Sequence, residues 1–381
     1  MKKKLLCILA VVLLPLLLGG CAMLDKEYVS IHDYIPSEQE VKAAGGSFTV
    51  QSADAVKSAL LNMVYEGRTE GTIVFDPAYE GEPAKDLENA SWTVKTEDAL
   101  CVFCVEKISY DFNRIVTLNE AEIKISYSPA GESPERIIRL GFSSEADGAI
   151  LDALQKGEKR LTLLVGHSGY SAEDMAAQVT RIYRDHPTVT PGSPLVNVNA
   201  YSGAGTQRLY DMQFNYGMSD EKLAQYKRQM EDFAPFAQLS TIGLSEADLA
   251  YRACSWLLEN CAITERSTQN SAYAALIRRE ANSEGIAFGY VELCRQLGLE
   301  CHIVYGQLDW TEHCWNIVRV DGNYYHVDVT QCANAGLILG FMKNDEAFWG
   351  SYRWDVGSYP KCTSTNRFFD FFLPSLNEGD K

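Results

Sequence analysis

Positive charge is scarce along this chain. Its 381 residues carry 34 Lys and Arg against 51 Asp and Glu, a formal net charge of −17. A surface so acidic argues against nucleic acid or anionic polymers as main partners, because phosphate backbones are held by concentrated positive charge. Long apolar runs are missing too. The run from Leu5 to Leu18 has about 14 residues, short of the roughly 20 that a spanning helix needs, and no second membrane segment follows. Metal signatures are as thin: Cys101-Val102-Phe103-Cys104 has no second CxxC to complete a zinc set, and it lies in a run that reads as a strand, which would aim its thiols at opposite faces. Gly203-Ala204-Gly205 lacks the longer phosphate-binding fingerprint and reads as a hairpin turn. Gly166-His167-Ser168-Gly169 lacks the final glycine of a nucleophile elbow, since Tyr170 stands there, and reads as a turn leading into a helix cap. No cofactor and no metal are expected, and no catalytic constellation precedes residue 240.

What is present begins at the N-terminus. Lys2-Lys3-Lys4, the apolar run and Leu18-Gly19-Gly20-Cys21 read as a secretory signal over residues 1–20 with a lipoprotein cleavage box, in which Cys21 becomes the lipidated first residue of the mature protein. Acyl chains on Cys21 would make a stable anchor, so the protein is expected on the extracytoplasmic face of a bacterial membrane. The chain has 11 cysteines, and setting Cys7 and Cys21 aside leaves an odd number. Cys254 and Cys261 are predicted to share a helix face about 10 Å apart, too far for a bridge, so buried reduced thiols are expected.

A polar tether over residues 21–47 leads to what reads as two copies of one pattern. In the first, Ser52 caps a helix through Val56, Leu60 and Val64, Gly67 ends it, and Thr72-Ile73-Val74-Phe75 follows as a strand. In the second, Ser143 or Ser144 caps a helix through Ile150 and Leu154, Gly157 ends it, and Leu161 to Val165 is the strand. The spacing predicts a second helix around Met175, Val179 and Ile182, clear only in this copy. An offset of about 90 residues also relates Ile125-Ser126-Tyr127 to Phe214-Asn215-Tyr216, which is consistent with duplicated α+β modules over residues 48–130 and 136–218. A charged helical linker over residues 219–244 follows, and Ser245-Glu246-Ala247-Asp248 opens the next helix.

The densest signal runs from Asn270 to Cys332. Ile286, Ala287, Tyr290, Val291, Cys294 and Leu297 recur at helical spacing with Gly298 behind them, which places Ser283 at or beside the N-cap, where unpaired amides favour a nucleophile or an oxyanion. Ser is also a preferred cap with no chemistry attached. His313 to Val320 and Asn323 to Thr330 read as strands joined by the two-residue turn Asp321-Gly322. That register sets Val320 opposite Asn323, Trp315 opposite Asp328 and His313 opposite Thr330. His313 and Asp328 then lie diagonally on one face, roughly 7 Å apart at Cβ. His326 falls on the same face, so parity alone leaves it open as a base. The residue types of nucleophile, base and orienter thus stand in order.

Ser271-Ala272-Tyr273-Ala274-Ala275-Leu276, Glu284-Gly285, Gly298-Leu299-Glu300-Cys301, His313-Cys314-Trp315-Asn316 and Tyr325-His326-Val327-Asp328-Val329-Thr330 together resemble the bacterial transglutaminase-like family, relatives of papain-type cysteine proteases. Phe341-Met342-Lys343-Asn344-Asp345 and Tyr352-Arg353-Trp354-Asp355 extend the likeness, which covers about residues 245–362. The resemblance implies an α+β protein whose C-terminal, papain-like domain spans residues 245–365, with Ser283, His313 and Asp328 at the catalytic positions and an aromatic tail over residues 366–381. The family requires cysteine where this chain has Ser283. A thiol there can exist as a thiolate beside imidazolium, whereas a serine hydroxyl needs His313 to take its proton during attack while Asp328 orients the ring. No other cysteine is placed to substitute: Cys294 lies roughly 16 Å along the helix, and Cys314 points away from His313. Three readings stand: a pseudoenzyme that holds a peptide or protein chain in the old cleft, an acyl-transfer enzyme of peptidase or amidase type using Ser283, and a surface spacer.

Overall fold

The structure, a computed structural model, describes residues 42–364 apart from 45, 116–117, 130–132, 238–240 and 265. The expected signal segment, Cys21, most of the tether and the aromatic tail lie outside the described residues. The chain forms two compact units. One comprises the described residues up to Met63 with Glu70–Ser91 and Ser109–Lys124, and the other comprises Val64–Thr69, Trp92–Ile108 and everything from Ile125 onward. Among the described residues no helix is long and apolar enough to cross a membrane.

The first sheet is built from β1 (Lys42–Ala44), β2 (Ser47–Val50), β3 (Glu70–Phe75), β4 (Val105–Ile115) and β5 (Leu118–Tyr127), in the order β1-β2-β3-β5-β4. Along the same stretch of chain lie α1 (Ala53–Tyr65), α2 (Pro83–Glu97) and α3 (Ala99–Cys104), the last of which packs against strands of the second sheet. Ser52 Oγ accepts the Ala55 amide at 3.2 Å, and Gly67 leaves α1 with φ 66°, as the sequence signals require. Two expectations are corrected. The segment holding Cys101 and Cys104 is helical, because Asp98 caps it by accepting the Cys101 amide, and a short, wholly apolar run has no period that separates strand from helix. The first copy does carry a second helix, α2, whose mostly polar face hid the 3.6-residue period while Pro83 marks its first turn.

The second sheet has β6 (Ile138–Phe142), β7 (Arg160–His167), β8 (Leu195–Ser202) and β9 (Arg208–Asn215), in the order β6-β7-β9-β8, with α4 (Ala146–Lys156) and α5 (Ala172–Asp185). It repeats the connectivity of the first. A helix joins two parallel strands, and the second of these pairs antiparallel with the last strand of the copy. Ser143 and Ser144 do not cap α4; they form a 3-10 turn ahead of it, and Ser143 Oγ instead donates to Ser168 Oγ at 2.6 Å. Ser168 is buried in this side-chain network with Tyr210, and the cap of α5 is Ser171, reciprocated by Asp174. The glycines at 203 and 205 turn the β8–β9 hairpin.

After α6 (Asp220–Glu231), α7 (Glu246–Asn260) starts from a capping box between Ser245 and Asp248 and ends before Cys261, which is its C-cap rather than a helix-face residue. β10 (Ala262–Ile263) pairs with β11 (Glu280–Ala281), and α8 (Ser283–Gln296) follows. β12 (Cys301–Leu308), β13 (Thr311–Val320), β14 (Asn323–Val327) and β15 (Tyr352–Trp354) form a sheet in the order β14-β13-β12-β15. The short helices α9 (Val329–Ala335), α10 (Leu337–Gly340) and α11 (Asp345–Phe348) lie between β14 and β15. Helix α8 is buried almost all round, and its small residues permit this: a Cβ at Gly285 would meet Ala281 Cβ at 2.8 Å, and one at Gly289 would meet Ala275 Cβ at 3.1 Å.

The β13–β14 register matches the expected one, with Val320 opposite Asn323 and Ile317 opposite His326. Asp321 (φ 50°) and Gly322 (φ 78°) both take the left-handed conformation that a two-residue hairpin turn demands. The second strand, however, stops at Val327. Asp328 caps α9 by accepting the Gln331 amide at 3.0 Å, so Thr330 is helical and not in the ladder.

Gly306 pairs with His313 on one side and Trp354 on the other. A Cβ there would collide with the Arg353 carbonyl and lie 2.6 Å from the Trp315 ring. Gly306→Ala is expected to cost about 2 kcal/mol or more, measured by urea unfolding, because backbone cannot yield as a flexible side chain does; a loss near zero would show that the ladder at His313 is not tight.

Candidate functional site

His313 stands near the start of β13, and Asp328 caps the helix that follows β14. The hairpin register and the abrupt strand-to-helix bend bring them together: His313 Nε2 lies 2.7 Å from Asp328 Oδ2, with the residues 6% and 1% exposed. Asp328 is itself held from three directions. Its Oδ1 takes the Gln331 amide, its Oδ2 also accepts Tyr352 Oη at 2.8 Å, and its amide donates to the Gly340 carbonyl at 2.7 Å. A carboxylate at a helix N-terminus with three donors has little freedom to turn. With Nε2 facing Asp328, the neutral ring presents its lone pair at Nδ1, the arrangement of a general base with an orienter. Burial, and then the Asp328 charge, raise the Tyr352 hydroxyl well above its ordinary pKa, so it remains a neutral donor. Tyr352 is a site residue that the reading of the pair missed. Its segment resembles the family, but nothing in the spacing links it to Asp328.

His326 is not a second candidate base. Trp315 Nε1, which can only donate, lies 3.0 Å from His326 Nδ1, so the neutral ring carries its proton on Nε2 and gives it to Asp345 Oδ1 at 2.9 Å. Asp345 Oδ2 in turn accepts the Cys362 amide at 3.2 Å. The ring is fully buried and stacked on Phe348, with centroids 4.7 Å apart. The ligand atoms of His326, Asp345 and Cys362 lie within 4.8 Å of one another. A metal on Nε2 would need that nitrogen stripped of its proton while Trp315 still donates to the other, which amounts to an imidazolate. The trio therefore reads as a satisfied polar network rather than a metal cradle.

Ser283 occupies the first helical position of α8, and the cap is Asn282, whose Oδ1 accepts the Gly285 amide at 3.1 Å. Ser283 thus stands beside the cap, as its spacing predicts, with Asn282 doing the capping. Because β12 runs back along α8 and β13 returns, the first turn of the helix shares its end of the sheet with His313. Asn316 Nδ2 fixes this, donating to the Ala287 carbonyl at 3.0 Å. Yet Asn316 and Val318 meet α8 on one face of β13, while His313 sits on the other with Trp315, the two rings 6.1 Å apart. Among the described residues Ser283 hydrogen-bonds neither His313 nor Asp328. Its side chain is 6% exposed as part of the residue, next to Glu284, which accepts Asn270 Nδ2 at 2.9 Å.

Residues 238–329 match the model of the transglutaminase-like superfamily. The chain carries a transglutaminase-like domain. Among solved structures it is similar to a TGase, at 8% identity over 51% of this chain and 59% of that one, with a TM-score of 0.19. It is also similar to a candidate cysteine protease from Cytophaga hutchinsonii, at 14% identity over 36% of this chain and 64% of that one, with a TM-score of 0.19. A third likeness is to a candidate protease from Parabacteroides distasonis, at 10% identity over 68% of this chain and 43% of that one, with a TM-score of 0.20. The chain spans less than two thirds of the length of each. No curated protein matches it. Within the transglutaminase-like domain the remaining cysteines are free thiols. Cys301, one of the partly buried thiols, has its pKa raised well above the ordinary value by desolvation and by the neighbouring Cys294.

Burial lowers the His326 pKa from 6.5, and Asp345 only partly offsets this. The unfolded chain therefore binds this proton more readily than the folded one. The stability that His326 contributes is complete above about pH 6.5 and is lost progressively as pH falls from there through the lower folded-state pKa. His326→Gln keeps an acceptor for Trp315 and a donor for Asp345 without titrating. Urea unfolding at pH 7 and pH 5 should show a larger acid loss for wild type than for the variant, and equal losses would remove His326 from the acid sensitivity.

Proposed function

We propose that this protein is a membrane-anchored, extracytoplasmic binding protein whose transglutaminase-like domain holds a peptide or protein chain in its cleft without covalent chemistry. The observation that carries the reading is the disconnection of Ser283. The pair His313–Asp328 is buried and tightly held, but the serine that stands where the family requires cysteine has no hydrogen bond to it. A serine hydroxyl, with its high pKa, depends on such a bond for activation far more than a thiol does. Anchoring rests on the sequence from Lys2 to Cys21 and places lipid on Cys21. Cys21→Ser is expected to move the chain from the membrane fraction into the released fraction of fractionated cells; retention in the membrane would mean another anchor.

A second reading is favoured by the His313–Asp328 bond itself, since an orienter held at 2.7 Å is what a working base needs. In that case His313 Nδ1 takes the Ser283 proton as Oγ attacks a peptide or amide carbonyl, and the first amides of α8 receive the oxyanion. His313 passes the proton to the amide nitrogen as the C–N bond breaks and the amine leaves, and water, with His313 again as base, hydrolyses the acyl ester to a carboxylic acid and restores Ser283. The two readings separate cleanly. Binding without chemistry predicts no fluorophosphonate adduct on Ser283, and it predicts a Ser283→Cys thiol that iodoacetamide alkylates near neutral pH no faster than an ordinary cysteine. A labelled serine, or a thiol that alkylates rapidly, would establish the hydrolase reading instead.

A further inference from the structure

Cys254 has no disulfide partner along its own helix, but the fold gives it one across the core. It stands on the buried face of α7, and Cys332 stands on α9, in the core that also holds Ala250, Leu257 and Val329. The two residues are 0% and 5% exposed. Their side chains lie within hydrogen-bonding distance of each other, and both are free thiols. Gly340 comes so close to Cys332 that a Cβ there would lie 2.8 Å from its Sγ, which leaves that side chain little room to turn away. Two thiols in contact across packed helices need only a small closing movement to reach the roughly 2 Å of an S–S bond.

This contact bears on the site through α9. The helix has 7 residues, too few to be stable without its neighbours. Asp328 caps it by accepting the Gln331 amide at 3.0 Å on Oδ1, and the Cys332 amide donates to the Asp328 carbonyl at 2.9 Å. Cys332 thus closes the helical turn that Asp328 opens, and Asp328 Oδ2 holds His313. A covalent bond at Cys332 would fasten that turn to α7. A second thiol contact, Cys294 of α8 with Cys301 of β12, spans only one short connection and would constrain the chain less. In the folded protein Cys254 reacts slowly: the neighbouring Cys332 and then burial push its thiol well above the ordinary pKa, and exchange needs an accessible thiolate. The bond therefore has to form while the chain folds, before α7 and α9 close over it.

We propose that Cys254 and Cys332 are a disulfide-forming pair, which closes when the chain folds in the presence of a disulfide oxidant and pins α9, with the Asp328 that caps it, to α7. The supply of that oxidant in the cell rests on the extracytoplasmic reading, because cytoplasmic thiols are kept reduced. The oxidant is a small-molecule or protein disulfide. One protein thiolate attacks it, the oxidant's S–S bond breaks, and one thiol leaves. The second protein thiolate attacks the protein sulfur of the mixed disulfide and releases the other thiol. Two electrons pass to the oxidant, and the two protons from the cysteines end on the two thiols released.

The test uses the full chain, refolded with oxidised and reduced glutathione until its urea transition returns. Free thiols are then blocked with iodoacetamide in denaturant without reductant, and the peptides are mapped by mass spectrometry. Peptides joined through Cys254 and Cys332 are expected. Alkylation of both cysteines, or a bridge from Cys254 to Cys294, would overturn the pair and leave the extracytoplasmic reading untouched. The same mapping on chain taken directly from the cells that make it should find the same bridge. Two alkylated cysteines there, with the bridge present after refolding, would sustain the pair and overturn the extracytoplasmic reading. The bridged chain should unfold at a urea midpoint about 1 M or more above the reduced chain, as closing a loop of roughly 80 residues implies. Cys254→Ala with Cys332→Ala should remove that dependence on reductant, and a double variant that keeps all of it would overturn the assignment. The Gln331 and Cys332 amides should exchange with deuterium about tenfold or more slowly in the bridged chain. Equal exchange would overturn the pinning of Asp328.

Discussion

The bond between His313 Nε2 and Asp328 Oδ2 can exist only in one strand register. A slip of one residue in the β13–β14 hairpin would send His313 to the opposite face of the sheet and leave Asp328 buried and unpaired, a costly state for a charge. The turn at Asp321-Gly322 prevents the slip, since both residues sit in the left-handed region that the tight turn requires. The chain then leaves the ladder at Val327, and Asp328 caps α9 with the same carboxylate that meets His313. One side chain therefore ends a strand, starts a helix and holds the imidazole.

Around that bond the domain arranges a second, separate use of histidine. His326 lies four residues deeper in the same sheet face, where Trp315 and Asp345 fix its tautomer and Phe348 stacks on its ring. Phe348 continues the stack onto Tyr352, at 3.8 Å between centroids, and Tyr352 donates back to Asp328. The two His–Asp pairs are thus joined through one aromatic column. The inner pair is satisfied on every side and belongs to the packing of α11 and β15 against the sheet. The outer pair sits near the start of β13, with Asp328 held by Gln331 and Tyr352.

Helix α8 couples this sheet to the rest of its unit. Its glycines admit neighbouring segments at close range, and Asn316 ties its second turn to β13. On its other flank Phe288 receives Tyr183 from α5. The ring of Tyr183 is as much part of the domain core as the domain's own residues. The domain core thus includes a side chain from a helix that lies before the family match, which begins at residue 238.

Local patterns in the chain carried the α+β class, the repeated strand-helix-strand units, the helix through Tyr290, the hairpin and its register, and hence the side of the sheet on which His313, Trp315 and His326 lie. These follow from turn chemistry and from periods of 2 and 3.6 residues, which act over a few residues and are written in the local sequence. The apolar run around Cys101 and the polar α2 escaped, because one has no period and the other a weak one. Tertiary structure alone decided that Tyr352 would donate to Asp328, that Asp345 would take the proton of His326, and that Arg184 would come to rest on Tyr305. These contacts join residues far apart in sequence, and their geometry depends on how helices pack on the sheet. The sequence determined by itself that Ser283 stands at the start of a helix; only the packing of α8 on the face of β13 opposite His313 decided that, among the described residues, Ser283 hydrogen-bonds neither His313 nor Asp328.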